Sequence, residues 1–139
     1  MCCLEFALAL MLAISPVQLR AECAEIRCQQ QAGWDCMSAA GAMQVAEHIG
    51  QTLRAPARWD WAEVDAHIWS GVALFAWPWA DANWTPDGLA HAFYCDGDAW
   101  IAPLRLRIMH CYDTDNPAGT WWSVLWMQHT WTGWSVVRE

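Results

Sequence analysis

The hydrophobic period changes along the chain, and that change limits the folds open to it. In "DCMSAAGAMQVAEHIG" (residues 35–50), Ala39, Ala42, Met43, Ala46 and Ile49 recur at helical spacing. This predicts a helix over 36–48, with Asp35 as its N-cap and Gly50 as its stop. In "LRLRIMH" (104–110), Leu104, Leu106 and Ile108 alternate with Arg105, Arg107 and Met109, the period-two signature of a half-buried strand. The 59–77 stretch begins helical through Trp61, Val64 and Ile68, then turns apolar and strand-like from Val72 to Trp77. "LAHAFYC" reads as a strand, "DGD" (96–98) as the turn after it, and "TGWSVV" as a last short strand. Helices lead and strands follow, which predicts a single α+β domain.

Composition narrows the functional classes. The 139 residues suffice for one domain with a real core. Fifteen acids stand against seven arginines, with no lysine, for a net charge of −8. Nucleic acid is therefore excluded as an expected partner, because phosphate binding needs a basic footprint. Thirteen tryptophans are far above ordinary usage. They fit either an indole-built core or a surface that grips glycan or protein.

The opening "MCCLEFALALMLAIS" is too short an apolar run to span a bilayer and suits the core of an export signal. Residues 1–21 are accordingly expected to be removed, leaving 22–139 as a secreted or periplasmic domain. Glu5 and the absence of any early Arg or Lys depart from the usual basic start. No other segment is apolar enough for a transmembrane span.

The seven cysteines are Cys2, Cys3, Cys23, Cys28, Cys36, Cys95 and Cys111. Removal of residues 1–21 would leave five, an odd number. Cys95 and Cys111 lie on two expected strands and Cys23 and Cys28 in one short loop, so both pairs suit disulfides. Cys36 is then the unpaired thiol. Zinc is a weaker reading of Cys95, Cys111, His91 and His110, since no CxxC pair occurs. No metal or organic cofactor is expected.

An unpaired thiol in the first turn of a helix faces free backbone N–H groups and the positive end of the dipole, and both favour the thiolate. Gln30, six residues earlier, has an amide that suits a developing oxyanion. Asp35 works against this, because an adjacent carboxylate disfavours the thiolate.

"QQQAGWDCMSAAGAMQVAEHIG" resembles the nucleophile segment of papain-like cysteine peptidases, closest to the branch that processes bacteriocin leaders. The resemblance implies a papain-like fold, with a nucleophile helix packed on a small antiparallel sheet. It also implies thiolate attack on a peptide or amide carbonyl, and a peptide or protein substrate. By that resemblance Cys36 is the nucleophile and Gln30 lines the oxyanion hole. His91, opening the strand in "AHAFYCDG", is the base, and Asp113 in "IMHCYDTDNP" orients it. Antiparallel pairing brings the start of one strand beside the end of the next, so His91 and Asp113 are expected as neighbours. "HTWTGWSVV" resembles the closing strand of the family. Met37, where the family often has glycine, and the short Cys36–His91 span depart from its pattern and leave room for an inactive relative.

Two other readings compete. "DAHIWSGVALFAWPWADANW" resembles a transglutaminase-like pattern, in which His67 and Asp81 would serve Cys36. The tryptophans support a non-catalytic secreted binding module, for which a row of exposed, coplanar rings would be the sign.

Overall fold

The computed structural model describes residues 2–31, 33, 36–54, 57–58, 60–78, 91–125, 127 and 131–138. The first helix, α1 (Cys3–Leu12), is followed by α2 (Pro16–Ile26) and α3 (Ala39–His48). A short strand β1 (Ala57–Arg58) precedes α4 (Trp61–His67), and a 3-10 turn leads into β2 (Val72–Pro78). The strands β3 (His91–Ile101), β4 (Leu106–Tyr112), β5 (Thr120–Ser123) and β6 (Trp131–Val137) complete the chain. The fold is α+β. All pairings in its six-stranded sheet are antiparallel, in the order β1-β6-β2-β3-β4-β5.

Two cores lie on the sheet. Leu8, Met11 and Leu12 of α1 are fully buried with Leu19 of α2, Ala42 and Val45 of α3, and Ala73, Ala92 and Val136 of the strands. Val64 and Ile68 pack with Phe93, Cys95, Met109 and Cys111 in the other. The 1–21 segment, expected as a removable signal, here forms α1 and the first half of α2. Gln51 Nε2 donates to the Leu12 carbonyl at 2.7 Å and the Arg138 guanidinium donates to that of Met11, so carbonyls left free at the end of α1 find partners. Glu5, the residue out of place in an export signal, is buried. One carboxylate oxygen accepts from the Met37 N–H (3.0 Å) and the other from Arg20 Nε (2.8 Å). No single helix among the described residues is long and apolar enough to cross a membrane.

Helix α2 begins at Ser15, whose hydroxyl accepts from the Gln18 N–H, with Pro16 preset for the first helical position. Helix α3 starts three residues later than expected, at Ala39. Ser38 caps it by accepting from the Gly41 N–H at 3.0 Å, and this places Cys36 outside the helix rather than in its first turn. Gly41 also lets α3 close onto the preceding segment: a Cβ there would land on the Gln29 carbonyl oxygen.

"DGD" does not turn the chain. Strand β3 runs through it with a register shift between Cys95 and Gly97, and the reversal comes at Ala102–Arg105 instead. The period-two reading of β4 holds but its faces are inverted: Met109 and Cys111 are buried, while Leu104 is exposed. Arg107 tolerates the covered side because its guanidinium pairs with Asp98 (2.6 Å) and Asp65 (2.6 Å).

Candidate active site

Three disulfides form: Cys95–Cys111, Cys23–Cys28 and Cys2–Cys36. The first joins residues directly opposite on β3 and β4. The third differs from the sequence reading: with residues 1–21 in place, Cys36 is bonded to Cys2, and Cys3 is the cysteine outside the disulfides. Bonded in this way, Cys36 has no thiolate to offer.

His91 opens β3 and Asp113 directly follows β4. The β3–β4 register sets Tyr94 opposite Tyr112, so these two ends meet as antiparallel geometry requires. His91 Nε2–H donates to Asp113 Oδ2 at 2.8 Å. Asp113 Oδ1 accepts from the Asn116 N–H (2.6 Å) and from its side-chain amide (3.2 Å), which fixes the carboxylate in the turn after β4. Cys3, the first residue of α1, is hydrogen-bonded to the same imidazole. Packing of α1 across β3 and β2 delivers the thiol to that end of the sheet. Cys3, His91 and Asp113 thus form one hydrogen-bonded chain of thiol, imidazole and carboxylate.

The electrostatics follow from this contact. Burial alone would push the Cys3 thiol up. Hydrogen bonds from His91 and from the backbone of Ala92 and Leu4, with the His91 charge, outweigh burial and hold the thiol below its ordinary value. The hydrogen bond to Cys3 raises His91 to about 9; burial opposes this and Asp113 reinforces it. Burial works to raise Asp113 also, but His91 and Asn116 hold it below the usual carboxylate range. Both shifts favour the thiolate–imidazolium form of the pair, and the thiolate is the attacking form of a cysteine.

The other expected site residues lie elsewhere. Gln30 Nε2 is 3.0 Å from Cys23 Sγ, at the small-loop disulfide. The neighbouring Gln31 is the one at Cys36: its Nε2 lies 3.2 Å from Cys36 Sγ. His67 ends α4 with its Nε2 3.3 Å from an Arg54 guanidinium nitrogen, and Asp81 lies outside the described residues. Cys95 and Cys111 are bonded to each other, so neither offers a zinc ligand. His91, Asp113 and Asp115 bring three ligand-type atoms within 4.8 Å of one another, but both Asp113 oxygens already accept from His91 and Asn116. On β3, β4 and β5, Tyr94, Tyr112, His110 and Trp121 form a row of rings inclined at 34°, 89° and 58° to their neighbours, not a coplanar platform.

Cys3 was hidden by its setting. A cysteine inside a hydrophobic opening segment reads as part of a removable signal. Its one sequence cue is that Cys3 starts an apolar helix as Cys36 was expected to start another. Compared with known proteins, the chain matches no family model, no curated protein and no solved structure.

Proposed function

We propose that the protein is a thiol-dependent hydrolase of peptide or amide bonds, with Cys3 as its nucleophile. The observation that carries this reading is the hydrogen-bonded chain Cys3–His91–Asp113 at the N-terminus of α1. The Cys3 thiolate attacks the carbonyl carbon. N–H groups at the first turn of α1 are the candidate donors to the developing oxyanion. The His91 imidazolium protonates the leaving amine, giving an acyl-cysteine. Neutral His91 then takes a proton from water as the water attacks the acyl carbon, and Cys3 is released. Asp113 acts through His91 as a positioning residue, by fixing the ring and favouring its charged form. On this reading the site would follow the papain-like order: thiol at a helix start, imidazole opening a strand, carboxylate ending the next. Cys3 and α1 take the places expected for Cys36 and α3. Three disulfides support a secreted or periplasmic setting.

A second reading keeps Cys36 as nucleophile. Its partner Cys2 is the residue before Cys3, so the disulfide holds Cys36 at the same end of the sheet. Loss of residues 1–21 would free it. Acylation by p-nitrophenyl acetate, followed by mass spectrometry, separates the two. Under the main reading the acetyl group lands on Cys3 of the full chain, and Cys3→Ser abolishes the initial burst. An acetyl group on Cys36, or a burst indifferent to Cys3→Ser, contradicts it.

A further inference from the structure

Between α1, α2 and the segment before α3 lies a cleft of about 420 Å³ that the proposed hydrolase chemistry does not use. Its walls include the Cys23–Cys28 disulfide, Gln30, Glu5, Arg20 and Arg27. Glu5 is already taken by Arg20 and the Met37 N–H. Arg27 is exposed at the C-terminal cap of α2, in a left-handed conformation (φ 53°). The lining therefore carries two positive charges against one negative, in a chain of net charge −8. This local reversal favours a small anion.

The disulfide in this wall closes a short loop. Its sequence separation is 5, against 16 and 34 for the others, so it constrains the unfolded chain least and its opening costs the fold least. The backbone keeps its two residues together without it, because the Cys28 N–H donates to the Cys23 carbonyl at 2.9 Å. Gln30 Nε2 lies 3.0 Å from Cys23 Sγ and 3.8 Å from Cys28 Sγ, so an amide donor stands ready for a thiolate on Cys23.

We propose that Cys23–Cys28 is an exchangeable disulfide whose cleft takes small thiols that carry carboxylates. The incoming thiolate attacks Cys28 Sγ. The Cys23–Cys28 bond breaks, its electron pair passes to Cys23 Sγ under the Gln30 amide, and a mixed disulfide remains on Cys28. A second thiolate attacks the outer sulfur of that mixed disulfide and releases Cys28. Two small thiols are oxidised to their disulfide, two electrons pass to the protein, and their two protons end on Cys23 and Cys28. Reversal needs only the small disulfide.

The test uses the oxidised full chain with mercaptoacetate, 2-mercaptoethanol or cysteamine at matched thiolate concentration. Opened sulfurs are trapped by alkylation and mapped by mass spectrometry. The Cys3→Ser variant runs alongside, so that attack by the chain's own thiol is not read as exchange. Cys23–Cys28 should open first, with the mixed disulfide on Cys28. Mercaptoacetate should open it about fivefold or more faster than cysteamine at low salt. Arg27→Gln should erase that preference and leave the 2-mercaptoethanol rate unchanged. Opening of Cys95–Cys111 or Cys2–Cys36 at an equal rate would overturn the proposal. So would a mixed disulfide on Cys23, or a charge preference that survives Arg27→Gln.

Discussion

His91 Nε2 lies 2.8 Å from Asp113 Oδ2, and the same imidazole is hydrogen-bonded to the Cys3 thiol. Residues 22 apart in sequence meet because β3 and β4 are antiparallel neighbours. The thiol arrives from the opposite end of the chain, carried by a helix whose apolar face is core. The local fold and the charge state of the site are thus one problem: displacing α1 takes the thiol away from His91, and neutralising His91 removes what favours its thiolate.

Asp113→Asn should move the Cys3 thiolate titration upward, because the carboxylate that favours charged His91 is gone. An asparagine oxygen can still accept from the Asn116 N–H, so the turn should keep its shape. The check is the pH profile of Cys3 alkylation beside a thermal melt. A purely structural role would shift the melt and leave the profile in place.

The coupled pair gives stability a definite pH signature. His91 is raised from 6.5 to about 9, so its contribution is complete below 6.5 and is lost as pH rises through about 9. Cys3 is lowered from 9.0, so its contribution is complete above 9.0 and is lost as pH falls through its folded value. Below 9.0 and above the folded Cys3 value the two trends oppose each other. Cys3→Ser removes the largest cause of the His91 shift. The imidazole should therefore titrate below its wild-type value of about 9, read from its ring-proton NMR shifts against pH.

Leu8 is fully buried in α1, and truncation leaves a cavity under the helix that carries Cys3. Leu8→Ala should lower stability by about 2–5 kcal/mol. It should also slow Cys3 labelling in denaturant-free buffer if α1 loosens from β3. Chemical denaturation and alkylation of one sample check both.

How far the site could be read from sequence depended on whether a residue's partner was local. The β3–β4 pairing of strand ends followed from two short strand patterns, and so did the disulfide opposite that pairing, Cys95–Cys111. The faces of β4 did not, because Arg107 sits on the covered side only by virtue of Asp65, on a helix 42 positions earlier. The start of α3 depends on a contact outside the helix: Ser38, which caps it, also donates to the Gln29 carbonyl, beside which Gly41 packs. The thiol was hidden for a related reason. Apolar periodicity in 3–12 is the same for a core helix and for an export signal, and the contacts of Glu5 and Leu12 appear only in the fold.

Loss of the β3–β4 crosslink should be costly but local. Cys95 and Cys111 are 16 apart, and a loop of this size is worth about 3 kcal/mol in the entropy model. The double change Cys95→Ala, Cys111→Ala should lower stability by about that amount, measured by denaturant melts. Cys3 labelling in the surviving folded fraction should persist.

The central claim is that His91 holds Cys3 as a reactive thiolate. Site-resolved alkylation of the oxidised full chain with iodoacetamide near pH 7 tests it most directly. The account predicts labelling of Cys3 about tenfold or more faster than that of a cysteine in the unfolded chain, with the advantage lost in His91→Ala. Labelling no faster than in the unfolded chain, and unchanged by His91→Ala, would contradict it.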